Sequence, residues 1–269
     1  MALMQKSTNT VIGMMNDFRQ KFGLPLDPDM DTTLNSKYGI QAAVVPTTYP
    51  VIKYVGIGIG GFYNVGTEGL ANTYNPLADN QDLYHPIPWR IRPLDEDLSA
   101  AARADYRMRR VLTIEGTQYV AYYLKPLVFP TSAVTTLYVN ADGSTEEYNV
   151  VSNLTPTGIQ LADEDDATAD DRPKIIVSCE AQFTISAEEI EEAVSVLFDG
   201  DDRYGKISEF GIYSGLDQAG TVGATSTGTT TYTEAIYAQL AVHYCNQGNS
   251  DFTSSTQKFI LGNGNLYLL

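Results

Sequence analysis

The sequence predicts an α+β fold, mainly antiparallel β-sheet or sandwich with a few short helices. Three observations lead there. Short runs of alternating side chains recur along the chain, bounded by Gly, Pro, Asn and Asp. Turn dipeptides with hairpin chemistry, Glu115-Gly116, Asp142-Gly143 and Asn263-Gly264, sit between such runs. Helical periodicity or capping is confined to three short segments.

The first of these is Val11 to Phe22. Val11, Met14, Met15, Phe18 and Phe22 make one apolar stripe, Asn9 or Thr10 can cap its start, and Gly23 and Pro25 stop it. No partner helix lies nearby in sequence, so the stripe docks on the body of the chain or on a neighbouring subunit. Residues 1–30 therefore read as a helix and arm, and 31–269 as one β-rich body with a weak division near 130.

After a turn-rich acidic stretch from Pro25 to Gly39, Tyr49 to Val65 reads as strand and Asn72 to Pro88 as irregular loop. Asp97 to Arg107 is the second helix, capped by Ser99 and favoured by Ala100, Ala101 and Ala104. Arg109 to Phe129 is a hairpin about Glu115-Gly116. Val134 to Asn140 and Thr145 to Val151 form another, for which Asp142-Gly143 predicts a type I′ turn. An acidic loop spans Asp163 to Asp171, and Lys174 to Ile185 is strand. Ser186 to Phe198 is the third helix. Ser186 and Glu189 make a capping box, and Ile190, Val194, Leu197 and Phe198 form its buried stripe. Then come a strand from Lys206 to Ser214, a Gly/Thr/Ser loop from Gln218 to Thr230 and a long strand from Tyr232 to Tyr244. A last hairpin is expected about Asn263-Gly264.

Composition removes several functions. A net charge of −16 denies the chain the cationic surplus that phosphate neutralisation needs, so sequence-specific nucleic-acid binding is not expected. No window is long and apolar enough to span a membrane, and Met1 to Asn9 does not have the pattern of a signal peptide. The 18 tyrosines against 9 phenylalanines suit half-buried strands or interfaces, since the ring packs while the hydroxyl stays wet.

The motifs that could carry chemistry are incomplete. Gly56, Gly58 and Gly61 satisfy GxGxxG, but no helix start follows, so the alternation suits a strand approached closely by another backbone. Asp27, Asp29 and Asp31 mimic a calcium loop but have Thr32 and Tyr38 where Gly and Glu belong; Asp199, Asp201 and Asp202 fail likewise. His243 and Cys245 share a strand face but no third group is evident to orient a dyad. Glu188 to Glu192 reads as a solvated helix face. Cys179 and Cys245 form no CxxC and are expected as free thiols. No catalytic, cofactor or metal residues are assigned, and the chain is not expected to be an enzyme.

One segment is locally basic. Arg90, Arg92, Arg103, Arg107, Arg109 and Arg110 lie among Asp95, Glu96, Asp97 and Asp105. Two readings stand: an intramolecular ion-pair network beside a helix, or a contact with an acidic neighbouring subunit. The subunit-interface candidates are these six arginines with Phe18 and Phe22.

The stretch from Leu83 through Pro86-Ile-Pro-Trp89-Arg-Ile-Arg-Pro93 to Ser99, continuing over Ala104 to Arg110 and Tyr119 to Lys125, resembles tailed-bacteriophage virion structural proteins. Ile207-Ser-Glu-Phe-Gly-Ile-Tyr-Ser-Gly215 and Tyr232 to Gln239 look like a strand pair of the same proteins. The resemblance covers about a third of the chain. It implies a structural subunit repeated around a symmetric ring, in the neck or collar at the head-to-tail junction. The alternatives are a tail or baseplate subunit, or a β-rich virion module that binds or hydrolyses host glycans. The partners it implies are copies of the chain itself and other neck or tail proteins, in a virion assembled in the host cytoplasm.

Overall fold

The structure is a computed structural model. It describes residues 6–9, 48–65, 70–130, 134–140, 142–148, 174–201, 204–225, 228–246 and 254–267, together with Gly13, Asp17 and Gln20. The expected acidic segments 25–39 and 163–171, and the interface candidates Phe18 and Phe22, lie outside them.

In chain order the elements are β1 (Lys6–Asn9), β2 (Val51–Gly58), β3 (Phe62–Val65), β4 (Leu70–Thr73), β5 (Pro86–Ile87), β6 (Arg90–Pro93), a 3-10 turn (Leu94–Glu96), α1 (Ala100–Arg103), β7 (Arg107–Ile114), β8 (Thr117–Pro126), β9 (Val134–Val139), β10 (Thr145–Glu147), β11 (Lys174–Ile185), α2 (Ala187–Leu197), β12 (Glu209–Thr225), β13 (Gly228–Cys245) and β14 (Ser255–Tyr267). The fold is the expected one, mainly antiparallel sheet with short helices. By their contacts the described residues fall into two units.

The larger unit comprises the described residues up to Leu127 and from Thr184 to Ser255. It holds an eight-stranded sheet in the order β1-β13-β12-β2-β8-β6, with β5 added to β2 and β7 to β8. Its core gathers Tyr54, Met108, Leu124, Tyr213, Ala235, Ala238 and Leu240. Trp89 is fully buried and its indole N–H donates to the carbonyl of Val55 at 3.0 Å. The smaller unit comprises the described residues of Val128–Phe183 and from Thr256 onward, and carries the four-stranded sheet β10-β9-β11-β14. Phe183 and Phe259 stack there, with ring centroids 5.3 Å apart.

Local signals placed many elements. Glu115 and Gly116 both take positive φ, as a type I′ turn demands, and close β7 onto β8 with Ile114 opposite Thr117. Ser186 accepts from the N–H of Glu189, and Glu189 returns the bond to the N–H of Ser186, so α2 has its capping box. Ser99 caps α1. That helix lasts only four residues, because Tyr106 and Arg107 turn into β7 and the core. Gly13 takes helical conformation, and a Cβ there would lie 2.7 Å from the Cα of Ala241, so that point of the N-terminal segment packs on β13 of its own chain.

Three expectations fail. Asp142-Gly143 does turn a hairpin, but through a longer loop in which Gly143 alone has positive φ among its described residues, so the turn is not type I′. Asn263-Gly264 closes no hairpin; it lies inside the continuous strand β14. The described residues of the supposed loop Gln218–Thr230 are ladder: β12 and β13 pair from Glu209↔Cys245 out to Thr225↔Gly228. A segment polar on both faces lacks the one-sided apolar alternation that betrays a strand, while its threonines favour extended backbone.

The last β12 residue paired with β2 is Gly215. Beyond it, among the described residues, β12 and β13 pair only with each other. The departure point is marked. The register slips between Ser214 and Leu216, and Tyr237 opposite takes φ 52°, a bulge that bends and twists the strands. Asp217, just beyond, accepts from Arg107 (2.8 Å), Tyr54 (2.9 Å) and Lys53. Burial alone would raise its carboxyl, but these three donors hold it down to about 2.

Glu234, on the facing strand, is buried and accepts the N–H groups of Met108 (2.9 Å) and Ala235 (2.8 Å). Burial pushes its carboxyl up to about 7, against those two bonds. The folded chain therefore keeps a proton that the unfolded chain releases near 4.5. The stability from that proton is full below the unfolded value and is lost as pH rises through about 7, an effect on the order of 3 kcal/mol. Denaturant titrations at about pH 5 and pH 8 should show wild type losing that much relative to Glu234→Gln. Parallel pH profiles for the two proteins would contradict the assignment.

Candidate functional site

The strand register alone builds a cluster of reactive side chains. Glu209 opens β12 directly opposite Cys245, and Gly211 lies opposite His243. His243 and Cys245 are two residues apart on β13, so both project to the same face. On the other flank of β12, Glu209 pairs with Gly58 of β2. A Cβ at Gly58 would stand 2.5 Å from Glu209 Oε1 and 2.6 Å from the carbonyl of His85. The carboxylate fits because its cross-strand neighbour has no side chain. The glycine alternation thus admits a close approach, as expected.

All three residues are fully buried. Glu209 Oε1 accepts from the N–H of Gly60 (2.8 Å) and of His85 (2.6 Å). Oε2 accepts from the N–H of Tyr84 (2.8 Å) and faces His243 Nε2 at 3.1 Å. One carboxylate thus uses all four of its lone-pair positions to tie the turn after β2, the 84–85 loop and β13 together. Beside it, Gly61 donates to Ser208 Oγ at 2.9 Å.

The other face of the imidazole is equally determined. His243 Nδ1 lies 3.1 Å from Asn80 Oδ1. That same oxygen accepts the N–H of Leu77 at 2.7 Å, which fixes the amide with its oxygen toward the ring. Both ring nitrogens therefore face oxygen acceptors. Cys245 Sγ sits 3.7 Å from Nε2. Cys, His and Asn are arranged as in a thiol nucleophile with its base and orienting amide. Here, however, the sulfur is buried and the base is turned to a carboxylate.

The covering is aromatic. The Tyr84 ring lies 4.9 Å from that of His243, Tyr74 lies 5.6 Å from Tyr84, and Tyr63 lies 4.6 Å from Tyr74. These three tyrosines are partly exposed, and Tyr74 and Tyr84 border a hollow lined also by Gly60, Phe62, Asn75, Leu77 and His85. Sequence reasoning placed His243 and Cys245 on one face but missed Glu209 and Asn80, which lie far away in the chain. The available signal was Glu209 itself, an acid heading an otherwise apolar strand.

The arginines are brought together, but around carboxylates of their own chain. Arg90 makes a bidentate pair with Glu192 (2.7 and 2.6 Å) and reaches Glu188 at 2.8 Å. Arg92 approaches Glu192 at 3.6 Å. Arg103 and Arg109 share Asp97, whose other oxygen accepts from Tyr122 at 2.7 Å. Arg107 holds Asp217. Arg110 is half-buried. The intramolecular network is what the described residues display. The glutamate run of α2 is a solvated face only in part: Glu188 and Glu191 are exposed, but Glu189 is buried beneath Tyr106 (2.6 Å) and Lys125 (2.7 Å), and Glu192 takes Arg90. Both cysteines are free, as expected. No helix among the described residues is long and apolar enough to cross a membrane.

The profile of a family described as of unknown function (DUF7208) matches residues 2–268. No curated protein and no solved structure matches the chain.

Proposed function

The chain belongs to the DUF7208 family of unknown function, and we propose that it acts as a self-assembling structural subunit of a tailed-bacteriophage virion, forming a symmetric ring in the neck or collar. The observation that carries the self-assembly is the β12–β13 ribbon. From the pair Gln218↔Glu234 to Thr225↔Gly228 the two strands run on together, for roughly 25 Å at the rise of an antiparallel strand.

A two-stranded ribbon is marginal alone in water, and each outer edge offers a row of backbone donors and acceptors. Monomeric proteins guard such edges with lysine, proline or other charges. Residues 218–233 contain no charged side chain and no proline, in a chain of net charge −16. Such a ribbon suits strand addition to a second copy of the same chain. Its root is fixed by the bulge at Tyr237 and by the Asp217 knot, so every copy presents it at one angle, as a closed ring requires. The place in a virion rests on the resemblance of the Leu83 to Lys125 and Ile207 to Gln239 stretches.

The test replaces Ala219–Thr233 by Asn-Gly, a two-residue turn that closes the hairpin early. Light scattering on the size-exclusion peak should give a closed oligomer for wild type and a monomer of unchanged melting temperature for the shortened chain. A wild type that stays monomeric at high concentration, or a shortened chain that still assembles, would count against the reading.

A further inference from the structure

We infer that Glu209, His243 and Cys245 form a binding site for a zinc-class divalent cation. Their ligand atoms all lie within 4.8 Å of one another. Nε2 is 3.1 Å from Glu209 Oε2 and 3.7 Å from Cys245 Sγ. A tetrahedral zinc with ordinary Zn–N, Zn–O and Zn–S bonds separates such ligands by roughly 3.2 to 3.6 Å. The carboxylate oxygen and the sulfur, up to 4.8 Å apart, would have to close by as much as about an ångström to seat the ion, leaving one tetrahedral position open.

The surroundings are those of a preformed site. Metal-binding imidazoles give their second N–H to a fixed acceptor, which sets the tautomer and aims the other nitrogen at the ion. Asn80 Oδ1 is that acceptor, and the Leu77 N–H holds it in place. Oε1 of Glu209 is saturated by the N–H groups of Gly60 and His85, so the carboxylate cannot turn. Oε2 keeps the Tyr84 N–H and presents its other lone pair toward the ring.

Charge balance favours loading. A divalent cation there faces one carboxylate and one thiolate, two negative charges against its own two, with the neutral imidazole as third ligand. The loaded cluster is neutral, so loading strands no unpaired charge in the interior. Thiolate and imidazole select zinc or cobalt over calcium or magnesium.

The experiment uses the full chain carrying Cys179→Ser, in which Cys245 is the single thiol. The metal-free protein is titrated with cobalt(II). One equivalent should produce visible d–d bands of a tetrahedral ion with a near-ultraviolet thiolate-to-cobalt charge-transfer band, and zinc should bleach both. Adding Cys245→Ser should remove the charge-transfer band, and Asn80→Ala should weaken cobalt binding about 10- to 100-fold. Native mass spectrometry of unmodified protein supplies an independent count, expected at one zinc per chain. A folded single-thiol protein with no charge-transfer band, a cobalt spectrum indifferent to Cys245→Ser, or a chain that retains no zinc would each overturn the site.

Discussion

Replacing Glu209 by alanine is expected to destabilise the chain by about 4 kcal/mol or more, measured by urea unfolding in the presence of a chelator. The substitution strands the buried N–H groups of Gly60, Tyr84 and His85 and leaves the His243 ring facing an empty space. Each stranded buried donor costs about 1 to 3 kcal/mol. A typical domain has about 5 to 15 kcal/mol in all, so this variant should sit at the edge of folding. Glu209→Gln keeps the volume and one acceptor oxygen and should lose roughly half as much. A loss below about 1 kcal/mol for the alanine variant would mean that the carboxylate is not the tie described.

The second large effect is expected next to it. A Cβ on Gly61 would stand 1.8 Å from the carbonyl oxygen of Ser208 and 2.5 Å from its carbonyl carbon. Both are main-chain atoms, so no rotamer change can relieve the overlap. The turn after β2 would have to move, and with it the bonds Gly61 N–H to Ser208 Oγ and Ser208 N–H to the carbonyl of Gly58. Gly61→Ala is therefore expected to cost about 3 kcal/mol or more, the upper range for overpacking plus broken hydrogen bonds. Gly116 gives the contrast. It needs its positive φ but meets nothing within 4 Å, so Gly116→Ala should cost only about 1 kcal/mol. Equal losses in thermal unfolding for the two variants would refute the steric account.

The contrast between these glycines also shows what can be read from sequence. Glu115-Gly116 and the Ser186/Glu189 box act within a few residues, and both elements were legible from them. Arg90 to Arg110 was legible as a basic cluster with Asp97 among its acids, but its distant partners were not. Asp217, Glu188 and Glu192 reach it only through tertiary pairing. The cluster of Asn80, Glu209, His243 and Cys245 depends on the β12–β13 register and on a loop, neither of which has a local signature. The ribbon was hidden for another reason. Strand signals report one buried face, and Gln218, Ala219 and Thr231 are all exposed. Asn263-Gly264 misled in the opposite direction, since a turn-competent dipeptide can still be drawn into a ladder by its neighbours.

The Glu209 tie has a consequence for how the chain opens. Irregular loops ordinarily exchange their amide hydrogens through small local fluctuations. The amides of Gly60, Tyr84 and His85 end on a carboxylate that is itself locked beneath β13, so none is released unless that strand separates. These loop amides therefore belong to the same cooperative unit as the central sheet and exchange on its timescale. The stretch that looks least regular on paper behaves, kinetically, as core.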